Sequence, residues 1–174
     1  MEAVSGTAFW GLSLGNWSDI IQTTAIAITG IVAVFAIRSN AKMSRHRATI
    51  DLLLSQRTDI NLSKAKKTMT RLHSDPSSSI TALACKGKES DEDRHHVLTI
   101  LNNYEFIALG IREKALDEDV YKRAHYSMLM RDWRATQAFI TEFRTQNNTP
   151  TTFQEFEYLY KRWIKRPLKK DSQH

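Results

Sequence analysis

The 174-residue chain has no Lys or Arg before residue 38, so its opening stretch carries no cation with which to attract phosphate or acidic protein. It holds one cysteine, Cys85, which excludes an intrachain disulfide and agrees with a reducing location for the C-terminal part. Only six glycines and three prolines interrupt it. No nucleophile elbow and no phosphate-binding glycine loop is present, so neither chemistry has its backbone signature here. No segment sustains the apolar–polar alternation of a half-buried strand, which leaves an all-α chain.

What is present is segregated. With 41% apolar and 25% charged residues the chain can bury one modest core, and that composition disfavours disorder. The formal charge of +6 comes from twenty-five cations that all follow an apolar run. Such asymmetry suits a membrane-oriented protein better than a nucleic-acid binder. The run, Ile20 to Ile37, is IIQTTAIAITGIVAVFAI, without a charge and bounded by Asp19 and Arg38. As a helix it reaches about 27 Å, enough for a thin hydrocarbon core. A cleaved signal peptide would need a basic start and small residues at a cut site, whereas residues 1–19 carry only Glu2 and Asp19 as charges. A buried soluble helix is the other competitor, because Gln22, Thr23, Thr24 and Thr29 lie inside the run. Trp10 and Trp17 sit where an interfacial aromatic belt would lie. Arg38, Lys42, Arg45 and Arg47 follow immediately. The positive-inside rule therefore places the N-terminus outside and everything after 38 in the cytoplasm.

Within the run, Gln22, Ala25, Thr29, Ala33 and Ala36 recur at three- and four-residue steps beside Gly30. Close helix packing in lipid uses such a stripe, so it can serve a homodimer; alanine and threonine are also simply common in these helices. Residues 38–72 contain no Gly or Pro and predict a helical stalk, with Met43, Ile50, Leu53, Leu54 and Ile60 near one face. Arg57 and Lys64 interrupt any strict heptad. HSDPSSS and KGKESDE then mark 73–92 as a loop with one short helical turn. A cytoplasmic domain follows over 93–166, with a basic tail at 167–174. Val97, Leu101, Tyr104, Ala108 and Ile111 outline its first helix. Asp117 caps the second, which carries Val120, Tyr121, Ala124 and Met128, and an apolar face from Trp133 runs to a stop at NNTP. Thr152 with Glu155 reads as a capping box for a last helix bearing Phe156, Leu159, Tyr160 and Trp163. The architecture expected is an anchor helix extended into a stalk, followed by a small bundle of three to four helices.

The block LNNYEFIALGI at Leu101–Ile111, an acidic turn, RDW at Arg131–Trp133, the following FITEFR, and FEYLYKRW at Phe156–Trp163 together resemble a bacterial and prophage-encoded family known only as a domain of unknown function. The resemblance covers most of residues 45–165. It implies a short, membrane-anchored helical protein of the bacterial inner membrane, and it brings no activity, cofactor or catalytic residue.

Several residues invite sharper assignments. Glu105 faces a possible partner in Arg131 on another helix, either as a polar site or as an ion pair that sets helix register, and structural pairs are the commoner case. Glu92 and His95 have the spacing of a carboxylate metal site, but the second motif such a site needs is missing, so no metal or other cofactor is expected. His125 reads as a core-edge histidine. Lys161, Arg162, Lys165, Arg166, Lys169 and Lys170 cluster around Trp163 and Ile164; they can hold the tail on anionic lipid, or merely complement a helix C-terminus. Three functions fit these features: a non-enzymatic module offering a helical surface to an unidentified protein partner, a phage superinfection-exclusion protein as the resemblance suggests, or an enzyme with a polar site near Glu105. Nucleic acid ranks below all three.

Overall fold

The structure is a computed structural model that describes residues 14–169 apart from 76, 86 and 89. Residues 1–13, with Trp10, and the end of the tail, with Lys170, lie outside the described residues. Among the described residues there is no strand. Five α-helices follow one another: α1 (Leu14–Thr58), α2 (Ile60–Ser74), α3 (Glu92–Arg112), α4 (Glu118–Asn147) and α5 (Gln154–Lys165), with a 3-10 turn at Thr81–Ala84. The chain divides into two units between Ser44 and Arg45.

The first unit holds the apolar part of α1. Nine large apolar side chains between Ile20 and Ile37 are 47 to 74% exposed, Phe35 most of all. Two of the four polar side chains in the run bond back to the helix itself. The Thr24 hydroxyl donates to the Ile20 carbonyl at 2.7 Å and that of Thr29 to Ala25 at 2.8 Å, which satisfies them without water.

The second unit begins inside α1, so part of the expected stalk belongs to the domain. Thr49 is fully buried and Gln56 nearly so, with Leu52 and Leu53 packed at the edge of the core. Met43, Ile50, Leu54 and Ile60, which the sequence places on a packing face with Leu53, are exposed instead. The stalk also breaks. Asp59 adopts an extended backbone and its carboxylate accepts the Leu62 N–H at 2.9 Å, so a side-chain acceptor replaces the carbonyls an uninterrupted helix would use. Beyond it α2 buries Leu62, Ala65, Met69 and Leu72 and packs on α3.

The loop after α2 is held by a buried cation. Arg94 sends Nη1 to the carbonyls of Leu83, Ala84 and Cys85 at 2.9, 3.0 and 3.1 Å, tying the 3-10 turn to α3. Asp117 caps α4 as its position predicts, accepting from Asp119 and Val120, and Asp91 caps α3, accepting from Asp93. The segment from Glu118 to Asn147 is one thirty-residue helix that stops at Asn148 in the left-handed conformation, φ 53°. α3 carries α2 on one flank and α5 on another, and α4 closes over α5 and the 3-10 turn. The seam is aromatic: Tyr104 stacks on Phe156 at 4.7 Å and Trp133 meets the same ring edge-on at 4.9 Å. Fully burying each such side chain contributes about 1.5–3 kcal/mol.

The Thr152–Glu155 capping box does not form. Phe153 occupies the N-cap position at φ 60° and supplies no side-chain bond. A left-handed, buried Phe there is incompatible with a local Ser/Thr cap, and the acceptor comes from another helix.

Candidate functional site: a buried polar clasp at Asp132

The supplier of that acceptor is Glu105. Its carboxylate takes the N–H groups of Glu155 and Phe156 at 3.2 and 2.8 Å, a cap delivered from α3 to the first turn of α5. Negative charge at a helix N-terminus is also favoured by the helix dipole. Arg131 has a different partner: its Nε and Nη2 lie 3.0 and 2.9 Å from Oδ1 of Asp132, the next residue. The Glu105–Arg131 pair suggested by the sequence is therefore replaced by two separate contacts. Glu105 points to the α5 side of α3, and Arg131 stays with its own neighbour.

Asp132 is the centre of what the structure does assemble. It is 3% exposed, yet its carboxylate has three side-chain partners. Tyr104 donates its hydroxyl to Oδ2 at 2.8 Å; His73 brings Nε2 to 3.2 Å from Oδ1; and Arg131 makes the contacts already given. The clasp thus joins α2, α3 and α4 at one group. Burying a carboxylate costs several kcal/mol, which only close partners such as these offset. Deep burial, and next the Asp132 charge, hold the Tyr104 phenol well above its usual range. Thr136 completes the local order by donating to the Asp132 carbonyl at 2.7 Å.

Nothing in the site reading singled out Asp132 or His73 beforehand. A signal existed for the first: Leu129, Met130, Asp132, Trp133, Thr136, Phe139 and Ile140 are the buried residues of this part of α4, so an acid stands at a core position of the helical period. For His73, in a segment read as loop, there was no comparable mark.

Beside the clasp, Tyr121 and His125 stack at 4.8 Å, nearly parallel. Burial, with Lys66 facing from α2, lowers the His125 ring to about 4. Lys66 is itself lowered by burial, against the pull of Asp59 and Asp132. Burial likewise raises the Tyr121 phenol. The sequence-level metal pair resolves differently: His96, not His95, faces Glu92, at 4.0 Å, and its Nδ1 lies 2.8 Å from the Thr68 hydroxyl. Among the described residues no three His, Cys, Asp or Glu side chains converge as metal ligands.

The motif residues therefore share one kind of role. Asn103 accepts from Gln56 of α1 at 3.0 Å, Tyr104 reaches Asp132, Glu105 caps α5, and Arg144 donates to the Thr152 carbonyl and to Glu157 at 2.8 and 2.9 Å. Each is a polar tie between elements. Fold and clasp define a class: an all-α chain in which one long apolar helix precedes a bundle locked by buried polar contacts. The chain belongs to the family described as Domain of unknown function (DUF4760), which it matches over residues 23–163. No curated protein and no solved structure matches it.

Proposed function

We propose that this chain is a single-pass protein of the bacterial inner membrane, N-terminus outside, whose cytoplasmic helical domain binds a protein partner and carries out no chemistry of its own. The observation that carries this reading is the uncharged run in α1: its apolar side chains are uncovered among the described residues, whereas a soluble core helix would bury them. Exposed apolar surface of that extent calls for lipid or a partner. The cations from Arg38 onward set the direction of insertion. Support for a non-enzymatic domain comes from the occupation of its interior carboxylates, Asp132 by three side chains and Glu105 by the α5 backbone.

Cys85 is exposed and is the chain's one cysteine, so the natural sequence serves as its own topology reporter. The expected result is that the protein stays in the membrane pellet after alkaline extraction, and that a membrane-impermeant maleimide labels Cys85 in inside-out vesicles but not in intact spheroplasts. Release by alkali would remove the anchor from the proposal; labelling in intact spheroplasts would reverse its orientation.

A further inference from the structure

The C-terminal cations, which the sequence groups together, divide in the structure. Lys161 is bound to Glu157 at 2.5 Å, and Arg162 grips Glu118 through Nε and Nη2 at 2.9 and 2.7 Å. Lys165, Arg166 and Lys169 are exposed, and among the described residues none of their side chains has a carboxylate partner. Beside them Ile164 and Leu168 are 51% and 41% exposed. Cations without counter-charges thus alternate with apolar side chains left in water.

Their position follows from the first turn of α4. Glu118 accepts from Arg162 and also from Nε1 of Trp163 at 3.1 Å, while Lys122, one turn on, donates Nζ to the Arg166 carbonyl. The residue before Glu118 is Asp117, whose N–H goes to the Thr49 hydroxyl at 2.8 Å and whose carboxylate lies 3.6 Å from Nδ1 of His46. The end of α5 and residues 46–49 of α1 therefore meet at the same corner of the domain. That corner begins nine residues after the last apolar position of the run, Ile37. Even fully extended, nine residues span at most about 32 Å, so the chain tethers residue 46 within that length of the end of the run.

We infer that this corner is a membrane-docking surface, with Lys165, Arg166 and Lys169 against anionic headgroups and Ile164 and Leu168 entering the interface. The inference rests on the anchored reading given above. Charge complementarity selects an anionic surface, and the exposed apolar pair, flanking the cations, favours the headgroup–acyl boundary of a bilayer, where both kinds of contact are available together.

The test uses the full chain in lipid vesicles. A Cys85→Ser, Ile164→Cys variant is labelled with a polarity-sensitive dye and reconstituted into neutral phosphocholine vesicles, or into vesicles with about one-third phosphoglycerol, an anionic headgroup of the relevant kind. A blue shift confined to anionic vesicles is expected. Molar salt should reverse it, and so should charge reversal of Lys165, Arg166 and Lys169 to Glu, with helix content unchanged because those side chains tie nothing in the bundle. Equal emission in both vesicle types would overturn docking; so would a shift produced by inorganic phosphate alone, which would mark a free-anion site. Flotation with neutral vesicles reads the anchor separately, so failure of one is distinguishable from failure of the other.

Discussion

Replacing Glu105 with Ala should loosen α5 while leaving the rest of the bundle in place. The helix has no side-chain cap of its own, since Phe153 makes none, and its first amides depend on a carboxylate from α3. Losing an N-cap costs about 0.5–2 kcal/mol, and hydrogen bonds to a charged group about 1.5–3 kcal/mol each. Glu105 is only half-buried, so water can partly replace it, and a loss near the bottom of the combined range, about 2 kcal/mol, is expected. Amide exchange at Phe156 reports this directly. If α5 opens locally, its rate should rise about thirtyfold. Glu105→Gln keeps an amide oxygen as acceptor but not the charge, and should cost about half as much, near fivefold in exchange. Unchanged protection at Phe156 in Glu105→Ala, or equal damage from both substitutions, would refute the assignment of Glu105 as the α5 cap. A catalytic Glu105 would predict the opposite pattern, with stability intact.

Two further outcomes follow from the clasp. Tyr104→Phe removes one partner of a buried carboxylate and should cost about 1.5–3 kcal/mol in denaturant unfolding; Asp132→Ala, which strands Arg131 and His73, should cost more, about 3–5 kcal/mol, and the double variant less than the sum. Additive losses would separate the two residues. His125 introduces a pH dependence: its folded value is about 4 against 6.5 for a free ring, so folding favours the neutral form, stability is complete above pH 6.5, and it declines as pH falls towards 4. Thermal unfolding of His125→Gln should show a flatter limb between those values; an unaltered limb would assign it to other groups.

How much of this was legible in the sequence depends on the range of the interaction. The apolar run, the cap at Asp117, the turn within the loop and the stop at NNTP all rest on contacts within one or two helical turns, and spacing alone reveals those. The all-α class followed from the same local periodicity. Three features went beyond it. Asp59 broke a helix that propensity alone carries from 38 to 72, because a single cap outweighed small per-residue preferences. Glu105 was noticed, but its partner lies fifty residues away in a backbone whose own cap fails. Asp132 gathers His73, Tyr104 and Arg131 from three helices. The sequence by itself determined the helices, the uncharged span and the asymmetry of charge, since each is written in neighbouring residues. Only the tertiary structure decided which polar side chains meet and where the C-terminal cations lie, because a hydrogen bond depends on distances of a few tenths of an ångström between atoms that the chain brings together only after its helices have packed.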